Sequence, residues 1–168
     1  GVVSTLGTPP VDAIAADCDG DGIVDLAAIS EGGGYAVDWF HGNGNGTFGS
    51  FHPVPNTNGL VGQRICAGDF DGDGLIDLVA IHATGAMVLL NNWSGLGVGA
   101  FASSGGIAMN EPTASGAVAD LDGDGNVDLV TAGQNVRVWR GLGNGQFTMA
   151  QSQATTTGGR DTVLGDLN

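Results

Sequence analysis

The chain has 168 residues, 32 of them glycine, with only 13% charged residues, no lysine and a formal charge of −14. That balance excludes nucleic acid and anionic membrane surfaces as natural partners, and the length suits one domain with a real core. Twelve of the eighteen acidic residues fall in three short stretches, so the charge is concentrated and calls for neutralisation.

The first residues, GVVSTLG, lack the basic-then-apolar opening of a signal peptide, which reads as a mature or trimmed chain. Residues 1–12 occupy the place that follows a phenylalanine in later repeats and read as the last strand of a preceding unit. Repeat 1, residues 13–64, opens on a short apolar strand (AIAAD) and runs into the loop DCDGDGIVDL. A β-branched run (IVDLAAIS), a second run (YAVDWF) and the glycine turn WFHGNGNGTF follow. Repeat 2, residues 65–115, has the same parts: ICAGD, DFDGDGLIDL, LIDLVAIH, AMVLLNNW and WSGLGVGAF. Repeat 3, residues 116–161, gives GAVAD, DLDGDGNVDL, NVDLVTAG, NVRVWR and WRGLGNGQF. Residues 162–168 begin a fourth copy, TVLGD, with Asp166 and Asn168 as a partial fourth site.

The loops start at Asp17, Asp69 and Asp120, spaced by 52 and 51 residues, and a fixed period near that length marks a propeller, solenoid or array. Short β-branched runs bounded by Gly and Asn clusters predict strands and hairpins. No window holds a helical period. The expected fold is therefore all-β, with three full repeats of antiparallel strands and a partial repeat at each end. A sheet of this size cannot bury both faces alone, so neighbouring repeats must stack as propeller blades do. The longest apolar run, Leu78 to Leu90, is interrupted by His82, Thr84 and Gly85 and is too short to insert in a membrane.

The loops carry the chemistry. Carboxylates stand at positions 1, 3, 5 and 9: Asp17, Asp19, Asp21 and Asp25; Asp69, Asp71, Asp73 and Asp77; Asp120, Asp122, Asp124 and Asp128. Position 7 (Ile23, Leu75, Asn126) offers a backbone carbonyl. Alternate carboxylates on a tight loop converge on one point, and glycines at positions 4 and 6 allow the backbone to wrap an ion. An all-oxygen set of this size suits Ca²⁺, at three sites. Position 12 is Ala28, Ala80 or Thr131, where an EF-hand needs glutamate, so these loops join strands rather than helices.

DxDGDGxxDL, then an apolar strand, then GNGTF or GNGQF, resembles the FG-GAP/VCBS repeat. That resemblance implies integrin α-chain-like and lectin-like propeller blades with Ca²⁺ bound by the twelve aspartates at a rim hairpin. The likeness covers nearly the whole chain, with departures. Phe-Gly occurs only at Phe48-Gly49, the other two being Phe101-Ala102 and Phe147-Thr148, and no Gly-Ala-Pro follows. Propellers of this type usually have seven blades, more than this chain supplies.

Trp39, Trp93 and Trp139 occur once per repeat, before the glycine turn. One place in every repeat favours wedges between blades, with stacking on sugar rings as the functional alternative. His41, His52 and His82 sit at differing places and read as structural or surface residues without a nucleophile partner. Cys18 and Cys66 are about 16 Å apart in repeat coordinates, which favours two buried free thiols. Asn45-Gly-Thr and Asn92-Trp-Ser are glycosylation sequons. Ser152 to Gly159 reads as a polar loop and an O-glycan candidate.

No acid–base couple stands out, so catalysis is not expected. The expected role is extracellular or cell-surface recognition of a glycan or protein, with specificity in the variable stretches 31–35, 53–63 and 103–113. The alternative is assembly: partial repeats completed by copies of the same chain, head to tail, in a ring or filament. A third reading is that the chain is part of a longer polypeptide.

Overall fold

In the computed structural model, residues 9–32, 36–93, 101–109, 111–155 and 159–165 are described. The apolar β-branched runs form three four-stranded antiparallel sheets, and the chain is all-β. Blade 1 holds β1 (Pro10–Ala16), β2 (Asp25–Ser30), β3 (Val37–Gly42) and β4 (Phe48–Pro53). Blade 2 holds β5 (Gly62–Gly68), β6 (Asp77–His82), β7 (Gly85–Asn91) and β8 (Phe101–Ala108). Blade 3 holds β9 (Thr113–Ala119), β10 (Asp128–Gly133), β11 (Asn135–Gly141) and β12 (Phe147–Ala154). Each sheet is a meander in chain order, and the first strands, β1, β5 and β9, lie side by side.

The aspartate loop always joins the first and second strands, the glycine turn precedes the fourth in blades 1 and 3, and every fourth strand begins at the repeated phenylalanine. Of residues 1–12, expected to form the last strand of a preceding unit, 1–8 lie outside the described residues and Pro10 to Asp12 instead belong to β1, paired with β2. The fourth loop at Asp166 and Asn168 and Ser94 of the second sequon also lie outside the described residues.

Middle strands are covered on both faces. Leu78, Val79, Ala80 and Ile81 of β6 are all fully buried, which is why that strand reads as an unbroken apolar run. Alternate side chains of a strand point to opposite faces, so blade 2 contributes to two seams, one with each neighbour. Ala27, Ile29, Val37 and Trp39 of blade 1 pack on Leu78, Ala80 and Leu89 of blade 2. Val79, Ile81, Ala86 and Val88 of blade 2 pack on Leu129 and Trp139 of blade 3. The seams are tight. A Cβ on Gly116 would stand 2.2 Å from Ile81 Cδ1, and one on Gly62 would stand 2.3 Å from Ile29 Cγ1. Cys18 and Cys66 are free and buried in different seams, and burial pushes both thiols up to about 12.

The register corrects one expectation. Leu26 pairs with Phe40, Leu78 with Leu89 and Leu129 with Trp139, so Phe40, Leu89 and Trp139 are equivalent. Trp39 is equivalent to Val88 and Val138 instead, and Trp93 lies two residues past Asn91, the counterpart of Gly42. The three tryptophans are not one wedge repeated. Proximity to the glycine turn concealed a difference of one residue, which in a strand reverses the face.

Candidate metal loops and an inter-blade recess

The three loops share one hydrogen-bond scheme. Asp17 at position 1 accepts from the Gly20 and Gly22 amides at 2.8 and 2.9 Å. Asp69 and Asp120 do the same with Gly72 and Gly74, and with Gly123 and Gly125. The glycines at positions 4 and 6 have φ between +74° and +90°, a range that side chains disfavour. Positions 3 and 5 each spend one oxygen on the amide two residues on, as Asp19 does with Asp21 and Asp21 with Ile23.

Position 9 has a different task. Asp25, Asp77 and Asp128 are almost wholly buried. One oxygen of Asp77 accepts from the Phe70 amide and the other from the Asn91 amide, both at 2.7 Å. Asp25 and Asp128 repeat this with Cys18 and Gly42, and with Leu121 and Gly141. The carboxylate thus ties the loop to the third strand. Burial, followed by the charges of Asp71 and Asp73, pushes Asp77 up to about 6 against the pull of its two amides. A loop whose clustered charges help to raise its buried carboxyl in this way fits a cation.

The ligand atoms converge accordingly. Carboxylate oxygens of Asp69, Asp71 and Asp77, of Asp120, Asp122 and Asp128, and of Asp17, Asp19 and Asp21 lie within 4.8 Å of one another in each group. These groups can hold a metal ion, and their all-oxygen chemistry fits a hard divalent cation.

What the repeat pattern conceals is the residue that overhangs the loop. The position before Gly42, Asn91 and Gly141 is His41, Leu90 or Arg140. His41 Nδ1 stands 3.0 Å from Asp19 Oδ2, and Arg140 reaches the equivalent Asp122 Oδ2 at 2.6 Å. Blade 2 has an apolar leucine there. The sequence placed His41 among structural or surface histidines; the fold sets it beside a carboxylate of the loop. Aligning the repeats on the amide bonded to position 9 would have exposed it.

His41 also lines a recess of about 260 Å³ at the seam of blades 1 and 2, with Asp19, Trp39, His52 and Trp93. The Trp39 ring lies 5.6 Å from Trp93 and 5.2 Å from His52. Trp39 and Trp93 come from neighbouring blades, whereas Trp139 lies at the other seam with Nε1 bonded to Thr131 Oγ1. None of the recess residues belongs to the variable stretches expected to bind. Of the two sequons, Asn45 is exposed but its Oδ1 accepts from Thr47, and Asn92 is exposed beside Asn91.

Stacked four-stranded blades with an aspartate loop on each define a β-blade repeat protein. The chain belongs to the FG-GAP-like repeat family: the family model matches residues 17–80, 69–131 and 120–168, each match running from one aspartate loop into the next repeat. No curated relative matches the chain significantly. Among solved structures it is similar to a lectin of Agrocybe aegerita, described as specifically recognising non-reducing terminal N-acetylglucosamine. The identity is 24% and the TM-score 0.57, over 84% of this chain. The chain spans only 37% of that lectin's length. This likeness concerns the propeller fold.

Proposed function

We propose that the chain is a secreted, calcium-stabilised recognition module whose ligand is a glycan, bound at the recess between blades 1 and 2. Its role is binding, not catalysis. The observation that carries this reading is the departure from repeat symmetry. At the seam of blades 1 and 2 Trp39, Trp93, His41 and His52 converge, whereas at the seam of blades 2 and 3 the counterparts of Trp39, His41 and His52 are Val88, Leu90 and Gly105. Indole and imidazole rings beside carboxylate and ring-nitrogen acceptors supply the stacking surface and hydrogen bonds that a sugar ring needs. The fold shared with a glycan-binding lectin supports the same reading. Calcium acts as a clip on each loop, holding the rim on which the recess is built.

A glycan array probed with the calcium-loaded chain should give a defined set of hits. Trp93→Ala should abolish them while changing the melting temperature little. Hits that survive Trp93→Ala, or an array blank with and without calcium, would overturn the reading.

A further inference from the structure

The loop of blade 1 offers a donor that its two copies lack. His41 Nδ1 lies 3.0 Å from Asp19 Oδ2 and 3.5 Å from Asp25 Oδ1, and these three side chains form a compact group within 4.8 Å. The nitrogen is buried and has no hydrogen-bond partner, although the ring itself is partly open to solvent. Nε2 is 4.0 Å from Asp21 Oδ2, too far for a hydrogen bond, so no contact fixes the ring proton, and the tautomer protonated at Nε2 presents the Nδ1 lone pair to a cation held among the carboxylates. In blade 3 the same place is filled by a cation, the Arg140 guanidinium on Asp122. In blade 2 it is filled by Leu90, which can donate nothing.

We propose that Asp19, Asp25 and His41 form a mixed imidazole–carboxylate site for a borderline divalent transition ion of the zinc or cobalt(II) type. Oxygen-only sets suit calcium, whereas an imidazole shifts preference toward these softer ions. Blades 2 and 3 keep oxygen-only sets. Because Asp19 and His41 also wall the recess, an ion held by them lies beside the ligand site, where remaining coordination positions can be taken by water or by a ligand hydroxyl. The site shares Asp19 and Asp25 with the calcium reading, but it depends on His41 and can be tested separately.

The test titrates the full chain with cobalt(II), in calcium, and follows the visible d–d absorption of the metal. One cobalt per chain should bind, with a band that moves away from that of the aqua ion. His41→Leu, which installs the blade 2 residue, should lose that band while retaining calcium binding, and His52→Leu should keep it. His41→Gln, closer in size and polarity, should also lose the band, so a folding defect in His41→Leu leaves the question answerable. A cobalt band unchanged in either His41 variant, or no band in the parent chain, overturns the proposal. Cobalt binding without any calcium binding would sustain it and sink the calcium reading.

Discussion

The two seams use the same backbone and differ in what they enclose. Both have a recess at the same place. Trp39 and His52 line it between blades 1 and 2, and their register counterparts Val88 and Gly105 line it between blades 2 and 3. The second recess is the larger, at about 390 Å³ against about 260 Å³, yet it is walled by strand backbone, Val88, Trp139 and Phe147 and offers no charged group. Gly105 sits at φ +150°, so a histidine there would be strained. Across each seam the backbone is stitched alike: the Cys18 carbonyl accepts from Asn91 Nδ2, and the Phe70 carbonyl from the Gly145 amide. Volume is thus a property of the blade stack, and chemistry is a property of single positions within it.

Metal removal should strike both seams at once. In EDTA the chain should melt well below its calcium-loaded form, since each ion at about a hundredfold excess over its Kd contributes about 2.7 kcal/mol. An unchanged melting temperature, together with no metal by elemental analysis, would refute the calcium clip. Next in size is Asp77→Ala, which orphans two buried amides in the blade that serves both seams. Chemical denaturation should show a loss of about 2–4 kcal/mol. Asp128→Ala, in a blade with one described seam, should lose less; equal losses would mean that the tie acts within its own blade only.

Acid should stabilise the metal-free chain. Asp38 is buried on β3 with Oδ1 unpartnered, and burial pushes it up to about 6; Asp77 reaches about 6 as well. Each folded-state pKa lies above the unfolded value, so the native state holds extra protons. The associated stability is present at low pH and is lost as pH rises through about 6. Stability should fall by about 1–3 kcal/mol between pH 5 and pH 7.5, and Asp38→Asn should flatten part of that slope. A pH-independent denaturation midpoint would contradict the burial of these carboxylates. The smallest effect concerns the overhanging residue. Arg140→Leu gives blade 3 the blade 2 side chain and should tighten calcium there by about two- to fivefold, the worth of an exposed ion pair. Calorimetry that finds no change would mean that Arg140 moves aside at no cost.

Much of this was legible in the sequence because it is written three times. The twelve aspartates, the glycines at positive φ and the antiparallel strands of each blade follow from the repeat. Position 9 was legible as an acid but not as a buried tie, because its amide partners lie 7 and 14 residues away in blade 2. The tryptophans misled for a reason of parity. Trp39 and Trp139 look alike beside their turns, but they differ by one place in the ladder and so face opposite seams. His41 was missed because reading along the chain separates it from Asp19 by a whole hairpin, which the β2–β3 pairing closes.

That parity has a consequence for how such a molecule changes. Along β7, consecutive side chains belong to different neighbours: Val88 looks forward to blade 3, and Leu89 looks back to blade 1. A substitution at one register therefore edits one junction and leaves the adjoining one as it was, and edits at separate junctions should combine additively. Each junction behaves as a separately addressable slot, so a stack of blades can acquire a new specificity in one slot without revising the others.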